Sequence, residues 1–115
     1  MNALVDNHCE ACRVGAPPVE EKDIPELMRE IPCWQLAWED GVQQLQRRFD
    51  FPDFRHALEF TNKVGSLAEA EGHHPALLVE WGAVTVAWWT HKIKALHKND
   101  FIMAAKTDQL LEERS

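Results

Sequence analysis

Leu77-Leu78-Val79-Glu80-Trp81-Gly82-Ala83-Val84-Thr85-Val86-Ala87-Trp88-Trp89-Thr90-His91 is the stretch on which the fold turns. Leu77 to Trp81 and Ala83 to His91 are apolar runs separated by Gly82, which predicts two strands meeting at a turn. In the second run Val84, Val86 and Trp88 share one face. Thr85, Ala87, Trp89 and His91 share the other, because side chains alternate along a strand.

Upstream, Pro52-Asp53 opens a helix with Phe54, Ala57, Leu58, Val64 and Ala68 at helical spacing, and Thr61 and Gly65 on the same side. Gly72 predicts its end. Further upstream, Trp34, Leu36 and Trp38 alternate with Gln35 and Ala37. Asp40-Gly41 supplies a hairpin turn, and Leu45, Phe49 and Phe51 share parity on the return, with Arg47 interrupting. A short helix carries Ile24, Leu27, Met28 and Ile31, with Asp23 and Glu26 spaced as a capping box and Pro25 in the first turn. A last helix takes in Ile102, Met103, Ala104, Leu110 and Leu111. The order predicts an α+β fold: a four-stranded antiparallel sheet with about three helices packed on one face.

The chain of 115 residues is expected to form one domain over residues 23–115, behind a flexible N-terminal arm over residues 1–22. Its formal net charge of −7 argues against nucleic acid and against an anionic membrane surface as partners. The longest apolar stretch, Ala83 to Trp89, is too short to span a bilayer, and Met1 to Val5 shows no secretory pattern. A cytoplasmic location is the expectation, and the odd number of cysteines fits reduced thiols there. Cys9 and Cys12 form a Cys-x-x-Cys pair beside His8, yet no second ligand pair follows; two reduced thiols on an arm are expected rather than a zinc site.

Glu69-Ala70-Glu71-Gly72-His73-His74-Pro75, followed by Thr90-His91, is the informative cluster. Adjacent histidines at a helix-to-strand junction are poorly suited to core packing, because a buried imidazole needs partners for both nitrogens. Two antiparallel strands joined near Gly82 bring His73, His74 and His91 to the same end of the sheet, with Trp81, Trp88 and Trp89 able to wall the site. Imidazole both gives and takes protons near neutral pH, which suits proton transfer on an uncharged organic substrate. A three-histidine metal site competes, but no His-x-His or His-x-x-x-His pair occurs among the three. Surface histidines without a shared role are the default for any one alone.

These residues resemble the pterin-4a-carbinolamine dehydratases. The match comprises Glu69-x-x-x-His73-His74-Pro75, then Trp81, Thr90-His91 and Asp100, with Phe49-x-Phe51-x-x-Phe54-x-x-Ala57-x-x-Phe60-x-x-x-Val64 upstream, and covers about residues 33–111. The resemblance implies a hydro-lyase that removes water from 4a-hydroxytetrahydropterin, the by-product of aromatic amino acid hydroxylases such as phenylalanine hydroxylase. It implies no metal and no cofactor, the pterin being the substrate, and a homodimer or homotetramer. His73, His74 and His91 would be catalytic. Glu69, His73, His74, Pro75, Trp89, Thr90, His91 and Asp100 would bind substrate, with Trp34 near the pocket. Animal members also serve as dimerisation partners of a transcription factor, so the alternative is a protein-binding module on the same fold. Two departures stand out: Ala95 replaces a usual glycine, where a positive φ would strain it, and His97 replaces a Ser or Thr helix cap, with Asn99 able to cap instead.

Overall fold

The computed structural model describes residues 19–91 and 93–113. A 3₁₀ turn over Glu21–Asp23 leads into α1 (Ile24–Met28), then β1 (Gln35–Glu39), β2 (Val42–Asp50), α2 (Phe54–Glu71), β3 (Ala76–Glu80), β4 (Ala83–Trp88) and α3 (Lys98–Glu113). Residues 1–18 of the expected arm, with Cys9 and Cys12, lie outside the described residues. The chain is tied down by Val19, whose N–H donates to the Leu96 carbonyl over 2.8 Å.

The four strands form one antiparallel sheet in the order β1-β2-β4-β3. Asp40 and Gly41 close the first hairpin with φ of 51° and 78°. Two positive φ values in a two-residue loop give the turn whose twist matches that of the strands, which is why Asp-Gly suits it. Leu45 pairs with Trp88, Phe49 with Val84 and Leu77 with Val86, so these side chains share a face. That face meets α2 through Ala57, Phe60, Val64 and Ala68, and α3 through Phe101, Ile102, Met103 and Ala104, all buried.

Three local expectations are corrected. Phe54 and Leu58 are 47% and 42% exposed, and the buried ring of α2 is Phe60, its centroid 4.7 Å from Phe49 and 5.2 Å from Phe51. The inward stripe runs 57-60-64-68, so Phe54 and Leu58 fall outside its arc. Asp23 makes no side-chain cap: its own backbone is already helical, with φ −90° and ψ −16°, because the 3₁₀ turn feeds straight into α1. The last strand ends at Trp88 rather than His91. Beyond it the Thr90 N–H bonds to Ala95 and the Ile93 N–H to Thr90, which turns the chain out of the sheet.

On that same face Arg47 points from β2 into the core, where its guanidinium meets Asp108 of α3 at 2.6 Å and lies 4.4 Å from the Phe49 ring centroid. Among the described residues no helix is long and apolar enough to cross a membrane.

Candidate active site

Helix α2 sets the site by how it stops. Gly72 adopts φ 67°, the His73 N–H returns to the Ala68 carbonyl, and the Gly72 N–H returns to Glu69. This Schellman arrangement satisfies the last carbonyls and requires a left-handed residue, a conformation glycine takes without strain. It delivers His73 inward and His74 outward. The register Ala76 to Ala87, carried beyond the paired residues, then brings this dipeptide opposite Trp89 and Thr90.

Two levels result. At the surface, His74 Nε2 lies 2.8 Å from Glu69 Oε1, and His91 Nε2 lies 3.1 Å from the His74 carbonyl oxygen. The His91 ring stacks on Trp89 at 4.3 Å between centroids. Beneath them, His73 is 3% exposed, its Nε2 is 2.6 Å from Asp100 Oδ1, and its ring lies parallel to that of Trp88. The second Asp100 oxygen accepts from Thr90 Oγ1 at 2.9 Å and from the His97 N–H at 2.8 Å.

A carbonyl or ionised carboxylate oxygen can only accept, so Nε2 of each of the three imidazoles is the nitrogen that donates. Asp100 is fully buried with both oxygens engaged by the protein, so it orients groups around it rather than facing solvent. An open groove of about 860 Å³ leads from Glu69, His74 and Pro75 along α2 past Ser66, Asn62 and Thr61. Glu69, His73, His74, Trp89, Thr90, His91 and Asp100 thus form one connected cluster, with Pro75 on its groove side.

A profile of the pterin 4 alpha carbinolamine dehydratase family matches residues 17–110, across the whole of this cluster. The chain belongs to that family. Among solved structures it is similar to a transcriptional coactivator/pterin dehydratase from Brucella melitensis, at 29% identity and a TM-score of 0.73, covering 82% of this chain and 98% of that one. It also shares its fold with a pterin dehydratase-like protein described as a RuBisCO assembly factor in the alpha-carboxysome. There the identity is 22% and the TM-score 0.57, over 67% of this chain and 87% of that one.

Within this dehydratase-family fold, two tryptophans considered from sequence stand apart from the cluster. Trp81 is 74% exposed at the β3–β4 turn, the opposite end of the hairpin from His74. Trp34 is buried, with its indole N–H donated to Asp108 over 2.9 Å. The positive φ near Ala95 belongs instead to Lys94, at 51°. His97 is the participant that residue-type reasoning undervalued: its Nδ1 accepts from the Asn99 N–H at 3.0 Å, so it does cap α3. The available signal was the spacing His97-x-x-Asp100, that of a capping box with unusual residues. Among the described residues no three His, Cys, Asp or Glu side chains are arranged to hold a metal ion.

Proposed function

We propose that the chain is a hydro-lyase that converts 4a-hydroxytetrahydropterin to quinonoid dihydropterin and water by histidine acid–base catalysis. What supports this reading is the gathering of His73, His74 and His91 at one end of the sheet, with Nε2 of each held against an oxygen. In the reaction the C4a–O bond breaks, a ring nitrogen gives up its proton as a carbon–nitrogen double bond forms, and the departing hydroxyl takes a proton to leave as water. One base and one acid suffice, each contributing roughly 10²–10⁴-fold.

His91, exposed and braced on Trp89, serves as one acid–base group, and His73, locked by Asp100, as the other from the buried side. His74 and Glu69 hold and orient the pterin at the mouth of the groove, with Pro75 shaping its wall and Trp89 and Thr90 flanking the histidines. The reaction as written needs neither metal nor cofactor. Its place is the recycling of the pterin of a phenylalanine hydroxylase in the cytoplasm, by a homodimer or homotetramer.

The test is dehydration of enzymatically generated 4a-hydroxytetrahydropterin by chelator-treated protein, beside His91→Ala and His73→Ala. Turnover above the spontaneous rate, falling at least tenfold in each variant, is expected. Turnover no faster than the spontaneous rate overturns the reading. The Brucella melitensis relative described as a transcriptional coactivator favours the second reading, a protein-binding module. A tight protein partner without pterin turnover would establish that instead.

A further inference from the structure

We propose that His97 is a positioning residue for this site, an imidazole helix cap whose protonation state governs how firmly Asp100 holds His73. The proposal takes its kinetic readout, though not its geometry, from the dehydratase reading above. α3 begins at Lys98, so the Asn99 N–H is one of the first-turn donors without a helical partner. His97 Nδ1 accepts it at 3.0 Å, and the His97 N–H donates in return to Asp100 Oδ2 at 2.8 Å. The exchange is a variant of the capping box, in which imidazole takes the N–H of the second helical residue rather than the third and Asp stands in place of Glu.

The link to the site runs through Asp100. Its two oxygens accept from His97 of the α3 cap, Thr90 beyond β4 and His73 at the end of α2, three donors from three parts of the fold. Whatever loosens residues 97–100 therefore moves the carboxylate that fixes the His73 ring. A serine or threonine cap would be indifferent to pH. Imidazole accepts only through an unprotonated nitrogen, so adding a proton at Nδ1 sets one N–H against another and opens the cap. The His97 side chain is 5% exposed, which leaves it little room to swing aside. Among the described residues, the titratable groups joined to this turn by its side-chain hydrogen bonds include Asp100 of α3 itself and, through it, His73 from the α2–β3 junction; Thr90 meets Asp100 with a neutral hydroxyl.

The experiment compares the native protein with His97→Ser, which restores a cap that does not titrate, and His97→Ala, which has none. Two quantities are read: kcat and KM for dehydration, and hydrogen exchange of the His73 Nε2–H by NMR, from about pH 8 to about pH 6. In His97→Ala, kcat is expected to fall severalfold, with KM within twofold and faster exchange, beside the stability lost with one N-cap. His97→Ser is expected to retain both at high pH, and at low pH to keep the ring proton protected where the native protein loses it. The same pH course of exchange in native protein and His97→Ser overturns the proposal, as does His97→Ala with unchanged kcat and exchange. Should His97→Ala not fold, the comparison of the native protein with His97→Ser still decides. If the native protein shows no turnover, the dehydratase reading fails while ring-proton exchange continues to test the cap.

Discussion

His73 Nε2 and Asp100 Oδ1 lie 2.6 Å apart, with the two side chains 3% and 0% exposed, and this contact ties the end of α2 to the first turn of α3. The bond orients an imidazole and satisfies a buried carboxylate that would otherwise be costly. Among the described residues no buried side-chain nitrogen or oxygen lacks a hydrogen-bond partner. The polar network under the site is therefore closed.

Asp100→Asn tests that contact. The amide keeps the shape and removes the charge, so the His73 ring loses its preferred tautomer and its counter-charge. A fall in kcat of roughly 10²-fold is expected, near the lower end of what a disabled acid–base group costs, together with a loss of about 1–3 kcal/mol of stability in urea. Unchanged kcat would mean that His73 needs no orienting carboxylate.

Asp108→Ala separates stability from chemistry. Asp108 accepts from both Arg47 and the Trp34 indole, away from the histidine cluster. Removing it leaves a half-buried guanidinium and a buried N–H short of an acceptor, a loss of about 1–3 kcal/mol. Turnover per folded molecule should stay within twofold of the native value, and a larger drop would tie this end of α3 to the site.

Asp53→Ala tests the start of α2 and its dependence on pH. The Asp53 side chain accepts from the His56 backbone N–H at 2.9 Å and meets the His56 ring at 2.7 Å. These bonds, the backbone one foremost, hold its carboxyl below the ordinary value of 3.8. A carboxyl lowered on folding contributes stability above its unfolded pKa and loses it as pH falls through the folded one. The native protein should thus melt a few degrees above Asp53→Ala at neutral pH, with the gap closing only in acid below 3.8. A gap that instead grew in acid would contradict this.

Trp89→Ala and Trp81→Ala should part company. Trp89 braces the His91 ring at 4.3 Å, so its loss is expected to lower kcat/KM about tenfold, the weight of one ~1.4 kcal/mol contact. Trp81 lies exposed at the far hairpin turn, and its removal should leave kcat/KM within twofold and stability within about 0.5 kcal/mol. Equal effects in the two variants would place substrate elsewhere on the molecule.

Local patterns in the chain sufficed for the architecture. The parity of Val84, Val86 and Trp88, the Asp40-Gly41 turn and the Gly72 stop are each legible within a few residues, because backbone dihedrals and side-chain alternation are short-range matters. The gathering of His73, His74 and His91 at one end of the sheet followed from the same reasoning, since a short hairpin leaves little choice of where its ends meet. What the chain alone left open was the depth of each imidazole. Adjacent histidines are equivalent as letters; the Schellman turn sends one to Asp100 and leaves the other with Glu69, a distinction that depends on residues 27 and 5 positions away. The same holds for Phe60 over Phe54, for Trp34 and Arg47 converging on Asp108, and for the His97 cap. Each is decided by which groups from distant segments meet in a closed interior, where an unpaired polar atom or an unfilled space is penalised, and that is a property of the tertiary structure alone.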